Sequence, residues 1–162
     1  MTTRIITITV SDTRTIENDR SGRALTEELA AFELVRHVIV PDEPSKIRTA
    51  VKAAIADADA VVLTGGTGIS PTDHTFEAIF TLFDKRLDGF GETFRRLSWD
   101  EIGPRAILSR AAAGTMGKAI VFLLPGSEKA ARLGARALVA PIVAHAVDLL
   151  NGRTSHPPAS ER

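Results

Sequence analysis

The run Ala60-Val61-Val62-Leu63-Thr64 is apolar without alternation and passes straight into Gly65-Gly66-Thr67-Gly68. A strand with one wet face alternates; one covered on both faces does not, and that is the habit of parallel sheets sandwiched between helices. The chain before it agrees. Thr3 to Val10 is β-branched almost throughout and ends in the polar pair Ser11-Asp12, a strand followed by a turn. From Ser21, apolar residues recur at Leu25, Leu29 and Phe32 with helical spacing. Leu34 to Val40 reads as a second strand, stopped by Pro41-Asp42-Glu43-Pro44, and Ser45 is placed to cap a helix with Ile47, Val51 and Ile55 on its apolar face. This β-α-β-α-β order demands parallel strands joined by right-handed crossovers.

Beyond the glycines, Phe76, Ile79, Phe80 and Phe83 share a helical stripe, and a second helical piece runs from about Phe90 to Trp99. Ala106 to Ala113 and Lys118 to Leu124 flank Gly114-Thr115-Met116-Gly117, the pattern of a hairpin. Pro125-Gly126-Ser127 closes that strand and opens a last helix reaching about Leu150, which Pro141 should kink or split. The expected organisation is one α/β domain over residues 1–151 and a polar, disordered tail over 152–162.

Lys plus Arg equals Asp plus Glu, 20 against 20, so no net field draws nucleic acid or a membrane surface. Zero cysteines exclude disulfides and thiolate metal sites. The first ten residues are too short and too alternating for a signal peptide, and no uninterrupted apolar stretch approaches the roughly 20 residues of a membrane span. The expectation is a soluble, cytoplasmic protein without nucleic-acid or membrane partners.

The chemistry points to the glycine loop. In an open parallel sheet, ligands sit beyond the carboxyl ends of the strands. Gly65, Gly66 and Gly68 allow backbone N–H groups to approach an anion with no Cβ in the way, and the helix that follows should aim its positive end at the same place. The plainer alternative is a tight strand-to-helix turn. Rival signatures fail. The dinucleotide fingerprint G-x-G-x-x-G lacks its third glycine at Pro71, and the P-loop G-x-x-x-x-G-K-[ST] has Ala119 after Gly117-Lys118. Asp42 and Asp73 both follow strands and belong to the same rim, as do Ser11, Asp12, Thr13 and Arg14. Structural roles compete: Asp73 could complete a Ser70-x-x-Asp73 helix cap, Asp42 could be a turn residue, and Ser11 to Arg14 could cap a loop. His37 and His145 read as packing or surface residues, and Trp99 as a core or interface residue rather than a base-stacking platform.

These residues also carry a family likeness. Leu63-Thr64-Gly65-Gly66-Thr67-Gly68 with Asp73 and Glu77-Ala78 resembles the signature of the MoaB/Mog family of molybdenum cofactor biosynthesis proteins. Val10-Ser11-Asp12-Thr13, Asp19-Arg20-Ser21-Gly22, Val40-Pro41-Asp42-Glu43, Gly89-Phe90-Gly91-Glu92, Leu108-Ser109-Arg110 and Leu124-Pro125-Gly126-Ser127 fit in the same order, covering about residues 3 to 150. The stretch Ser98 to Gly103 is closer to the MoaB branch, and Phe76 stands where the family often has proline. The resemblance implies a three-layer α/β/α fold and Mg²⁺-dependent adenylylation of molybdopterin by ATP. It implies catalytic roles for Asp42 and Asp73, with Asp73 near the metal and Asp42 near the reacting phosphates. It implies a phosphate loop at Gly65, Gly66, Thr67 and Gly68, ligand contacts from Ser98 and Ser109, and a homo-oligomer, trimeric or hexameric. Ser11 and Asp12 on the rim and Gly126 and Ser127 in the matching motif complete the candidate ligand site. The rival class is a non-catalytic module that holds pterin or nucleotide, or scaffolds the pathway.

Overall fold

The computed structural model describes residues 2–153; the tail expected over 152–162 lies outside the described residues from position 154 onward. Six strands, Arg4–Val10 (β1), Glu33–Val40 (β2), Ala60–Thr64 (β3), Lys85–Arg86 (β4), Ala112–Met116 (β5) and Ala119–Leu124 (β6), form one sheet ordered β2-β1-β3-β6-β5-β4. β2, β1, β3 and β6 are parallel, and β5 and β4 run antiparallel at one edge. Every residue of β3 and β6 is buried, as their unalternated runs require.

Helices cover both faces. Ile5, Ala60, Val62, Ile120 and Phe122 pack under Arg20–Glu28 (α1), Asp88–Ile102 (α4) and the final helix, through Leu25, Phe94, Ala135, Val139 and Val143. Ile6, Ile8, Val61, Leu63 and Val121 pack against Pro44–Asp57 (α2) and Thr75–Ile79 (α3), through Ile47, Val51 and Ile79. The result is the three-layer α/β/α sandwich. Its parallel strands all present their carboxyl ends to one rim.

Several local expectations need correction. Pro44, not Ser45, opens α2; Glu43 precedes it without a side-chain cap, and Ala54 is buried while Ile55 is only half-buried. Proline suits the first helical position because its missing N–H has no partner there. The helix carrying the phenylalanines is five residues long and gives way to a 3-10 turn at Phe80–Leu82; Phe76 stacks on Phe80, and Phe83 meets Phe80 edge-on. The hairpin turns at Gly117-Lys118 rather than across Gly114 to Gly117, and Ala106 to Leu108 belongs to a 3-10 helix, Gly103–Leu108. Gly114 lies inside β5, where a Cβ would strike the Phe83 ring.

Pro141 does not split the last helix. Glu128–Gly134 (α5) and Ala140–Leu150 (α6) are joined by one π-turn, Ala135–Val139. Widening the helix just before the proline shifts the donor register at the point where Pro141 supplies no N–H. By length and composition this 23-residue helix could cross a membrane; here Ala131, Ala135, Val139, Val143 and Val147 spend its apolar stripe on the sheet.

One buried polar group ties β1, β2 and α1 together. Asp19, 3% exposed, accepts the Gly22 N–H at 2.9 Å to cap α1 and meets His37 Nε2 at 2.8 Å, while His37 Nδ1 meets Thr7 Oγ1 at 2.8 Å. Burial alone would push the Asp19 carboxyl up, but hydrogen bonds from Thr9, Gly22 and His37 and the His37 charge outweigh it and hold it below the usual range. A depressed carboxyl stabilises the fold above its unfolded value of about 3.9 and loses that contribution as pH falls through the folded value. Asp19→Asn keeps a capping side chain but removes the charge. It should be less stable by about 2 kcal/mol at pH 7. In urea titrations between about pH 5 and pH 3 its stability should fall less steeply than that of the unaltered chain.

Candidate functional site

The strand order brackets β1 between β2 and β3, so the chain reverses its winding direction there. At such a switch point neighbouring loops diverge and leave a crevice at the carboxyl ends. A cavity of about 470 Å³ occupies that place. Its walls are the loop after β1 (Ser11, Asp12, Thr13), Asp42 after β2, Gly65 to Gly68 with Thr72 and Asp73 after β3, Pro125 and Gly126 after β6, and Ser109.

Each glycine of the loop answers a different steric demand. Gly65 and Gly66 have φ of +102° and +70°, a region that L side chains rarely adopt. A Cβ on Gly65 would lie 2.2 Å from the Val10 carbonyl oxygen, one on Gly66 2.2 Å from Thr75 Oγ1 and 2.9 Å from Asp42 Oδ2, and one on Gly68 2.7 Å from Asp73 Oδ2. Missing side chains thus let the loop lie against β1 and both carboxylates. Thr75 Oγ1 donates to the Gly65 carbonyl at 2.7 Å, and Thr75 N–H to that of Gly66 at 2.9 Å. Among the described residues, the N–H groups of Gly66, Thr67, Gly68 and Ile69 have no acceptor. Gly66, Thr67 and Gly68 line the cavity, and successive unpartnered N–H groups of this kind are able to receive an anion.

The positive helix end is not where the sequence suggests. α3 has five residues, and the N–H groups at its start are taken by Asp42 and by the Gly66 carbonyl. The long helix beginning at Glu128, two positions past Gly126, carries the larger dipole. Ser127 caps it, accepting the Ala130 N–H at 3.2 Å.

The two acids stand on the same cavity. Asp73 does not cap α3; its Oδ2 accepts the Ser70 N–H at 2.9 Å and closes a turn with Pro71 at the second position. Asp42 Oδ1 accepts the His74 N–H at 3.0 Å, and its own N–H donates to Asp12 Oδ1 at 2.9 Å. Its side chain is only 9% exposed. Burial pushes the Asp42 carboxyl up; the His74 N–H and ring pull it back, and the Asp73 charge adds to the rise. In both acids the second oxygen, Asp42 Oδ2 and Asp73 Oδ1, has no protein hydrogen bond among the described residues. Ser11 Oγ accepts the Thr13 and Arg14 N–H groups, so its hydroxyl also shapes the loop.

Ser98 and Ser127 are not brought to this cavity. They line a separate one of about 660 Å³ between α4 and α5, with Glu101, Arg132 and Arg136. Ser109 sits on the glycine-loop cavity and also on a third, of about 490 Å³, lined by Phe76, Phe80, Glu92, Arg95 and Arg110.

Residues 6–145 match the family described as "Probable molybdopterin binding domain". The chain belongs to this family. It is 48% identical over 145 residues to Molybdenum cofactor biosynthesis protein B of Bacillus subtilis (strain 168), spanning 86% of this chain and 85% of that protein. The structure of MoaB from Pyrococcus furiosus, described as a tungsten cofactor synthesizing protein, superposes with a TM-score of 0.84 at 41% identity, over 94% of this chain and 98% of that one. The Mog protein of Mycobacterium ulcerans superposes with a TM-score of 0.82 at 30% identity, over 94% and 99%. The higher identities to MoaB proteins agree with the lean of the 98–103 stretch.

Within this MoaB/Mog framework, two residues gain parts that sequence reasoning did not assign. His74 holds Asp42 at two points: its N–H holds the carboxylate, and its Nδ1 lies 3.0 Å from the Asp42 carbonyl oxygen. A carbonyl only accepts, so Nδ1 carries the proton in this arrangement. Arg110 reaches back to the Gly68 carbonyl and to Glu77. The signal for His74 was its place next to Asp73; nothing in local spacing marks Arg110, whose partners lie 33 and 42 positions away.

Gly65→Ala should cost on the order of 3 kcal/mol, because strain at positive φ adds to collision with the Val10 backbone. Gly117, also at positive φ but with open space around it, supplies the control. Gly117→Ala should cost only about 1 kcal/mol in the same denaturant titration.

Proposed function

We propose that this MoaB-family chain is a molybdopterin adenylyltransferase acting in molybdenum cofactor biosynthesis. The observation that carries the reading is the cradle of unpartnered loop N–H groups facing two carboxylates in one cavity. The chemistry needs such a place. The terminal phosphate of molybdopterin attacks the α-phosphorus of ATP, a P–O bond forms, the bond to the bridging oxygen breaks, and pyrophosphate leaves. The nucleophile is already anionic near neutral pH, so no strong base is required. The obstacle is repulsion between two polyanions, which preorganised N–H groups relieve.

Mg²⁺ fits the donor set as a substrate-borne ion. Among the described residues no group of three or more His, Cys, Asp or Glu side chains forms a metal cage. Mg²⁺ commonly takes one or two carboxylates together with phosphate oxygens and water. The unengaged oxygens of Asp73 and Asp42 would hold it, and it would supply charge neutralisation of the phosphates. The loop N–H groups bind and orient the phosphates, while Ser109, shared by both cavities, stands between the phosphate site and the aromatic-lined space suited to a ring system.

Incubation of the purified protein with ATP, Mg²⁺ and molybdopterin should yield adenylyl-molybdopterin and pyrophosphate. Asp73→Asn should lower turnover by on the order of a hundredfold or more, with a melting temperature close to that of the unaltered chain. Binding of both substrates without product would instead leave a non-catalytic binding module.

The protein works in the cytoplasm as a homo-oligomer, a trimer or hexamer, on this reading. Trp99, Ile102, Ile107 and Leu108 at the end of α4 and beyond it are exposed, as are Ile142 and Leu149 on α6. Exposed apolar side chains gathered on α4 and the 3-10 helix packed against it are what a closed assembly buries. Light scattering at micromolar concentration should return three or six times the 17.3 kDa chain mass; a monomer mass rules the assembly out.

A further inference from the structure

The glycine loop lines one cavity, and Arg110, which grips the loop, lines another. The loop's cavity holds Asp42 and Asp73; the space lined by Arg110 and Phe76 shares only Ser109 with it. In a trans peptide the carbonyl and the following N–H point in opposite directions. The Arg110 N–H holds the Thr67 carbonyl at 3.1 Å, so the N–H of Gly68 is turned away from Arg110. The guanidinium holds the Gly68 carbonyl with Nη2 at 2.6 Å and Nε at 3.1 Å, so the N–H of Ile69 is turned away as well. One residue therefore draws two successive carbonyls to its own side and leaves two successive donors for the other.

Arg110 is itself held. Its guanidinium contacts both carboxylate oxygens of Glu77 and stands over the Phe76 ring, 4.9 Å from the centroid. Arg110 is the main cause that keeps the Glu77 carboxyl below the usual range. A planar fork that satisfies a carbonyl and a carboxylate at once, while stacked on an aromatic ring, is a task for arginine and not for lysine.

We infer that Arg110 is the positioning residue that keeps the glycine loop in its anion-binding form, with Glu77 and Phe76 as its supports. The inference rests on the proposed function in so far as the loop's donors are there to receive phosphate. Arg110 acts through the loop and does not touch the anion, because its side chain lines a different cavity.

The test compares the full-length chain with Arg110→Lys and Arg110→Ala, using inorganic pyrophosphate as the probe. Two quantities are read: pyrophosphate affinity by calorimetry, and the order of the Gly66, Thr67, Gly68 and Ile69 amides by NMR relaxation in the free protein. Both variants should lose at least about tenfold in affinity, as removal of a supporting group commonly does, and the loop amides should become more mobile while strand amides stay unchanged. Glu77→Gln should shift both readouts in the same direction by less, and stands in should Arg110→Ala fail to fold. Affinity in Arg110→Lys equal to that of the unaltered chain overturns the inference. So does lost affinity with unchanged loop order, since that marks a charge effect. An unaltered chain that fails to bind pyrophosphate overturns the proposed function instead, and the loop order in Arg110→Lys then still decides whether Arg110 holds the loop.

Discussion

The ends of β1 and β3 meet with no room for a methyl group between them: a side chain on Gly65 would overlap the carbonyl oxygen of Val10. Everything at the rim follows from that contact. Because Gly65 passes so close, Gly66 can turn back at positive φ, and its missing side chain admits both Thr75 and the Asp42 carboxylate. The threonine then locks the turn through two hydrogen bonds to the carbonyls of Gly65 and Gly66. The carbonyls of residues 65 to 68 are thus all claimed by Thr75 or Arg110. The N–H groups of residues 66 to 69 are left over. A loop whose acceptors are satisfied and whose donors are not is suited to receive an anion, which is what the proposed reaction asks of it.

The acids beside that loop look at first like a contradiction, since carboxylates would repel the phosphates that the proposed reaction brings to the donors. The geometry resolves it. Each acid is anchored by one oxygen to a backbone N–H, Asp42 to His74 and Asp73 to Ser70, so neither is free to swing into the cradle. The remaining oxygens are held where a hard cation between acid and phosphate would be shared. Burial and the nearby Asp73 charge both raise the Asp42 carboxyl, and a compensating charge in the cavity would relieve the Asp73 contribution. Anion cradle and acid pair are two halves of one electrostatic arrangement.

Much of this was legible in the chain. The unalternated runs of β3 and β6 announced a sheet covered on both faces, and the order of elements placed Ser11, Asp42 and Gly65 at one rim. What local pattern misjudged were features that depend on contacts distant in sequence. The stripe Phe76, Ile79, Phe80 and Phe83 has helical spacing, yet Phe83 instead turns to fill the space that Gly114 leaves in β5. Pro141 signalled a break, and the helix absorbed it as a π-turn because its stripe is pinned to the sheet on both sides. Ser98 was drawn to the ligand site by family likeness alone; its position on α4 aims it at α5 and a different cavity.

The departure at Phe76 shows how a framework and its variation fit together. At the position where the resemblance leads us to expect proline, this chain has a residue that keeps its N–H and adds a ring. Proline would suit the first turn of so short a helix equally well, so helix formation does not require the change. The ring lies stacked on Phe80 at 4.3 Å and under the Arg110 guanidinium, joining the apolar packing of α3 to the charged group that grips the Gly68 carbonyl. A guanidinium fixed only by the exposed Glu77 would be held by a solvent-screened pair, worth little. Stacked on a half-buried ring as well, it loses the freedom to leave. The loop's conformation is therefore set from behind, by packing outside the cavity it serves.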